Sequence, residues 1–63
     1  MIQRGEVVLS RDGRRRGRTT GSLRSCTLEG CRGLRIAVRW PDGRLTWPCS
    51  EGIVRRNGTL RIL

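Results

Sequence analysis

Three cysteines are the residues whose type and spacing come closest to composing a reactive site. Cys26 and Cys31 have four residues between them, and Cys49 lies 18 positions after Cys31. This spacing is compatible with a zinc knuckle, but a structural zinc site takes four ligands, and the chain has no histidine and no fourth cysteine. A carboxylate such as Glu29, or a cysteine of another subunit, would have to complete it. We therefore expect reduced thiols, with neither a bound metal nor a permanent disulfide.

The sequence contains few residues that could act as a general acid or base. The five carboxylates are scattered along the chain, at Glu6, Asp12, Glu29, Asp42 and Glu51. Without histidine, no acid–base pair or activated nucleophile can be assembled from them. The glycine-rich segments also lack the residue order that cradles nucleotide phosphates. We expect no catalytic residues and no cofactor, so the protein is predicted not to be an enzyme.

Positive charge dominates the composition. Fourteen basic residues stand against five acidic ones in 63 residues, which gives a net charge of +9. Such a field attracts polyanions before any specific contact forms. Every cation is arginine, whose forked donors suit phosphate oxygens and guanine edges, although a GC-rich coding sequence would produce the same bias. Nucleic acid, RNA or DNA, is the expected partner; a small adaptor docking on an acidic protein surface is the alternative.

The arginines that could form this interface lie in two groups. The residues predicted to bind nucleic acid are Arg14, Arg15, Arg16 and Arg18 in one loop, Arg35 and Arg39 on one face of a strand, and Arg44 near the adjoining turn. Contacts from these positions to phosphate give affinity without reading sequence. The alternative for the same residues is a solvated face and a mobile loop.

The segment 34–40 carries the clearest strand pattern. Leu34, Ile36, Val38 and Trp40 alternate with more polar residues, and an Asp-Gly turn at 42–43 then predicts a hairpin. A two-residue loop would pair Trp40 with Leu45 and Val38 with Trp47. This register places both tryptophans in the core, with Cys49 on the same side, and turns Arg35 and Arg39 outward.

Glycine punctuates the remaining apolar runs, which favours short strands over helices. The further predicted elements are a strand at 6–10, a turn at 11–13, a solvated loop from Arg14 with its ordered part at 19–23, one helical turn at 50–53, a turn at 57–58 and a last strand at 59–62. About five strands result. The sequence therefore predicts an all-β protein, a single domain over residues 1–63 with the architecture of a five-stranded small barrel, which could share its minimal core in a homo-oligomer.

One stretch resembles the KOW-type modules of the SH3-like barrel group. Gly5, Val7 and Leu9 precede Gly13-Arg14-Arg15-Arg16-Gly17, much as the KOW pattern places a glycine and two inward apolar residues before Gly-x-x-Lys-Gly. After Gly17 the chain departs from the pattern by one position, which a bulge could absorb. The resemblance implies an SH3-like barrel.

A looser resemblance extends over more of the chain. Type II dihydrofolate reductases are SH3-like barrels of similar length, and Gly5-Glu6-Val7-Val8, Cys26 and Trp47-Pro48 stand in a comparable order. That family's active surface uses Gln-Ile-Tyr before the proline, where this chain has Leu45-Thr46-Trp47. The catalytic match fails residue by residue, so this enzyme function ranks third.

Membrane association is not expected. No apolar run reaches the ~20 residues that a membrane span requires, and the N-terminus lacks the apolar region of a signal peptide. We therefore expect a cytoplasmic protein that does not bind membranes.

Overall fold

A computed structural model of the chain describes residues 2–63, and these residues form one six-stranded sheet. The strands are β1 (Val7–Leu9), β2 (Arg16–Ser25), β3 (Leu34–Arg39), β4 (Leu45–Thr46), β5 (Ile53–Arg56) and β6 (Thr59–Ile62). A single 3₁₀ turn, Ser50–Gly52, lies between β4 and β5. The all-β prediction is confirmed.

The strand order in the sheet is β4-β3-β2-β1-β6-β5, so β4 and β5 are its edges. All neighbouring strands run antiparallel except β1 and β6, which pair in parallel with Val8 opposite Leu60. The predicted five-stranded closed barrel is not confirmed, since the sheet has a sixth strand and no ladder joins its edges within residues 2–63. The additional strand is β5. Its sequence, Ile53-Val54-Arg55-Arg56, is short and half charged, and it is ordered by pairing with β6 across the Asn57-Gly58 turn.

The hairpin after β3 has a different register from the one predicted. Trp40 donates its backbone N–H to the carbonyl of Arg44, so the loop contains three residues, and Gly43 ends it with a φ of 86°. This is the turn-plus-bulge loop in which glycine takes the left-handed position. Val38 consequently pairs with Thr46, and Arg39 pairs with Leu45. The predicted pairs of Trp40 with Leu45 and Val38 with Trp47 were wrong by one residue.

Strand β2 begins earlier than the sequence predicted. Arg16 and Arg18 belong to the strand, whereas the sequence placed them in a solvated loop before residue 19. Gly17 explains the difference, because its position on the inner face lets Trp40 pack against the backbone. A Cβ built at Gly17 would lie 2.7 Å from Val38 Cγ1 and 2.9 Å from Trp40 Cε3. The arginines project outward on either side of this contact.

The core lies on the inner face of the sheet. Its buried members are Val8, Ile36, Val38, Trp40 and Leu60, with Ile2, Ile53 and Ile62 packed against them. The indole N–H of Trp40 donates to Thr46 Oγ1 at 2.8 Å, which satisfies the one polar atom of that ring. Trp40 is therefore a core residue, as the sequence predicted.

Thr19 attaches the N-terminal segment to β2. It is 3% exposed, and its hydroxyl accepts a hydrogen bond from the Glu6 N–H at 2.9 Å while donating to the Gln3 carbonyl. The backbone N–H of Gly5 also donates to the Thr19 carbonyl at 2.8 Å. These bonds hold residues 3–6 beside the outward arginines of β2.

Candidate nucleic-acid interface

Arg18 and Arg39 are directly opposite each other on β2 and β3. Cross-strand partners share a face, and both side chains are exposed on the outer side of the sheet. Arg16 lies two residues before Arg18 and therefore projects from the same face. The structure thus brings together Arg16 and Arg18 of the predicted loop group with Arg39 of the predicted strand group.

Two adjacent grooves meet at the Arg18–Arg39 pair. The first, of about 290 Å³, is lined by Arg16, Gly17, Arg18, Arg39, Trp40 and Pro41. The second, of about 330 Å³, is lined by Arg4, Gly5, Arg18, Thr19, Thr20 and Arg39. Four arginines therefore follow one track across the outer face, and we call Arg4, Arg16, Arg18 and Arg39 the arginine track.

A third groove lies at the loop end of the sheet. It measures about 530 Å³ and is lined by Ser10, Arg11, Asp12, Arg15, Trp40, Arg44 and Thr46. Arg15 and Arg44 thus face a cavity different from those of the arginine track, and Trp40 lines both this groove and the first of the other two. Asp42 lies 4.0 Å from Arg44 and Asp12 is in the groove wall, so the positive charge here is partly neutralised.

The remaining two predicted binding residues lie elsewhere. Arg14 is exposed in the turn after β1, where its backbone N–H donates to Asp12 Oδ1 at 3.0 Å. Arg35 is half-buried, and its guanidinium donates to the Trp47 carbonyl at 3.0 Å. Its side chain therefore braces the segment after β4, while that of Arg14 is directed to solvent.

Trp47 lies outside the core cluster, in contrast to the prediction. The one-residue change of register turns it to the outer face, where the guanidinium of Arg24 lies 4.2 Å from the centre of its ring. A guanidinium at this distance makes a cation–π contact. Arg24 lies on β2, beyond the irregular register between Thr19 and Leu23, whereas Trp47 directly follows β4.

Three of the carboxylates accept hydrogen bonds from neighbouring groups. Arg55 donates to Glu6 at 2.6 Å, and this bond, with the Gln3 N–H, lowers the pKa of Glu6 below its ordinary value. The Ser10 hydroxyl and then the Arg14 N–H lower the pKa of Asp12. Asp42 accepts the Arg44 N–H at 2.9 Å. Each of these carboxylates closes a turn or fixes a strand end.

The three cysteines are gathered into one cluster. Their Sγ atoms all lie within 4.8 Å of one another, and the Cys31 and Cys49 sulfurs are 3.4 Å apart. The sequence had placed Cys49 on the core side, yet it is half-exposed next to the connection between β2 and β3. The short distances between the thiols change their pKa values. The Gly33 N–H lowers the pKa of Cys31, but the neighbouring Cys26 and Cys49 thiols outweigh this effect and raise it to about 11. The Leu28 N–H, followed by the Cys31 thiol, lowers the pKa of Cys26.

Sequence reasoning missed three residues of this surface, namely Arg4, Arg24 and Trp47. Arg4 reaches the arginine track only because Thr19 holds the N-terminal segment against β2, and no local pattern encodes that contact. Arg24 would have been found by extending β2 through residue 25, since it pairs with Arg35 and lies an even number of positions after Arg18, on the same outer face. The position of Trp47 required the correct hairpin loop.

Within residues 2–63, no helix has the length and apolar character needed to cross a membrane. Comparison of the chain with protein-family models, with curated proteins and with solved structures found no match.

Proposed function

We propose that this protein binds nucleic acid by its phosphate backbone, through the arginine track of Arg4, Arg16, Arg18 and Arg39. The observation that carries the proposal is the direct opposition of Arg18 and Arg39. Like charges placed opposite each other on adjacent strands destabilise a sheet, and a bound polyanion relieves that repulsion. RNA and DNA share the phosphate chemistry on which this surface acts.

The surroundings of the track support this function. No acidic side chain lines either of its grooves, and none of its arginines forms an ion pair in the part of the chain that the structure describes. Arg18 also donates to the Gly5 carbonyl at 3.1 Å, which orients its guanidinium without neutralising it. The stack of the exposed Arg24 on the half-buried Trp47 extends the surface toward an aromatic ring on which a base could stack.

Salt dependence tests the proposal directly. The variant in which Arg16, Arg18 and Arg39 are all replaced by Ala should bind mixed-sequence single- and double-stranded oligonucleotides more weakly. Each lost phosphate contact should reduce the magnitude of the negative slope of log K against log[salt] by about one unit. The triple variant should therefore have a slope less steep by about three units. Fluorescence anisotropy at several salt concentrations measures both quantities.

Arg56→Ala provides the matched control, because this exposed arginine lies on β5 at the far edge of the sheet. It should keep the parent slope. A triple variant with the parent's affinity at every salt concentration would refute the proposal and favour the adaptor that docks on an acidic protein surface. We also include Arg15→Ala and Arg44→Ala, which report whether the third groove contributes phosphate contacts.

We also propose that the fold resembles the SH3-like, KOW-type modules, supported by the arginine-rich turn between β1 and β2 and by the bulge around Gly21, whose φ is 95°. The proposed binding function needs no catalytic residue. This agrees with the positions of Glu6, Asp12 and Asp42, whose carboxylates accept hydrogen bonds that close turns or fix strand ends. A homo-oligomer and a cytoplasmic location remain predictions from the sequence.

A further inference from the structure

The cysteine cluster joins two connections that are distant in sequence. Cys26 directly follows β2, and Cys31 lies in the connection from β2 to β3, whereas Cys49 precedes the 3₁₀ turn. Backbone bonds fold the first connection back on itself, from Cys26 N–H to the Gly33 carbonyl at 3.2 Å and from Cys31 N–H to the Leu28 carbonyl at 3.1 Å. An isolated bridge between Arg35 on β3 and Cys49 holds the segment before the 3₁₀ turn next to β3, and so next to the connection that leads into β3.

The sulfur positions match the spacing that a tetrahedral metal ion imposes. Zinc–thiolate bonds of ~2.3 Å at tetrahedral angles place the sulfurs roughly 3.8 Å apart. The Cys31 and Cys49 sulfurs are 3.4 Å apart and all three Sγ atoms lie within 4.8 Å of one another, which is compatible with that value. A disulfide needs a sulfur–sulfur distance of about 2.05 Å and would use only two of the three thiols.

We propose that Cys26, Cys31 and Cys49 bind one zinc ion per chain as thiolates, with the fourth coordination position open to water or another exchangeable ligand. Zinc takes this arrangement of three protein ligands and one open position, and soft thiolates select it over harder cations. Each thiol releases its proton to solvent on binding. Three thiolates around Zn²⁺ carry one net negative charge, and the guanidinium of Arg35, on the strand bridged to Cys49, supplies a compensating positive charge.

Gly33 shapes the site. Its N–H donates to Cys31 Sγ at 3.4 Å, a bond that orients this sulfur and would stabilise its thiolate. A Cβ at this position would lie 2.9 Å from Cys49 Sγ and 2.8 Å from Ser50 Oγ, so a larger residue would push the two connections apart. Glycine is therefore the residue that allows Cys31 and Cys49 to meet.

Binding would also stabilise the fold. The ion would cross-link the connection between β2 and β3 to the segment before the 3₁₀ turn, and a 63-residue chain buries a small core that benefits from such a staple. Because an assembled site is absent from an unfolded chain, the free energy of metal binding adds to that of folding.

Cobalt substitution tests the site on the full-length chain. Protein reduced with a non-thiol reductant and treated with a chelator is titrated with Co²⁺, which is then displaced by Zn²⁺. We expect saturation at one ion per chain, with sulfur-to-cobalt charge-transfer absorption and the visible bands of a tetrahedral centre. Zinc should also protect all three thiols from alkylation. Absence of the charge-transfer band would overturn the proposal, and so would saturation at one ion per two chains.

Single substitutions identify the ligands. Cys26→Ser, Cys31→Ser and Cys49→Ser should each weaken Zn²⁺ binding at least a hundredfold, beyond the roughly 10–100-fold loss caused by changing residues around a site. Glu29→Gln and Glu51→Gln are the controls and should bind as the parent does. A cysteine variant that retains parent affinity, or a carboxylate variant that loses as much as the cysteine variants, would overturn the three-thiolate site. If a serine variant fails to fold, thiol protection in the parent decides the question.

Discussion

Arg18 and Arg39 stand directly opposite each other across β2 and β3, both exposed on the outer face. This placement predicts opposite effects on stability and on binding. Arg39→Glu replaces a repulsive pair with an attractive one and should raise the free energy of unfolding by about 0.2–1 kcal/mol. The same change should weaken nucleic-acid binding, because it removes one phosphate contact and adds a repulsive charge. Urea titration and anisotropy measure the two effects; a variant that loses both stability and binding would point to structural damage instead.

Gly17 is predicted to be intolerant of even a methyl group. Gly17→Ala would bring its Cβ to 2.7 Å from Cγ1 of the fully buried Val38. We expect a loss of about 1–3 kcal/mol, as overpacked cores show, in place of the gain that alanine normally gives over glycine within a strand. Gly52→Ala is the matched control, since nothing lies within 4 Å of the position that its Cβ would take. Equal stability of the two variants would contradict the packing of Trp40 on Gly17.

The two tryptophans should report different environments. Trp40 is 8% exposed and bonded to Thr46, whereas Trp47 lies on the outer face under Arg24. In Trp47→Phe, the remaining Trp40 emission should be blue-shifted and poorly quenched by acrylamide. In Trp40→Phe, the remaining Trp47 should be readily quenched and should respond to added oligonucleotide. Equal quenching of both variants would instead support the two-residue hairpin loop, in which both rings face the core.

Acid should destabilise the protein partly through Glu6. Its bond with Arg55 lowers the pKa of this carboxyl in the folded state, so the stabilisation is present above the unfolded value of about 4.3 and is lost as pH falls through the folded pKa. Glu6→Gln should be less stable than the parent at neutral pH and should lose less stability between neutral and acidic pH. Urea unfolding at a series of pH values measures this difference. Glu29→Gln is the control and should follow the parent curve; a Glu6→Gln curve parallel to that of the parent would exclude the ion pair as a source of acid sensitivity.

Turn chemistry was readable from the sequence because it is local. The Asp12-Gly13 and Asn57-Gly58 turns, the 3₁₀ turn at Ser50–Gly52 and the last strand all occur where predicted, and Asp42-Gly43 lies in a turn as predicted, although that loop has three residues in place of two. Each depends on a few neighbouring residues that tolerate positive φ or that bond to their own backbone. The alternation in β3 likewise determined which side of that strand carries Arg35 and Arg39. Composition alone established the strong positive charge.

Tertiary structure decided what depends on pairing between strands. A three-residue loop in place of a two-residue one moved Trp47 to the opposite face, because side chains alternate with a period of two and one step of register inverts them. Arg16 and Arg18 became strand residues because β1 and β3 pair with β2 on both sides and Trp40 covers Gly17. The meeting of Cys31 with Cys49, 18 positions apart, follows from the bridge between Arg35 and Cys49 and from the space left by Gly33. No local pattern encodes such contacts, since the residues that create them are brought together only when the sheet forms.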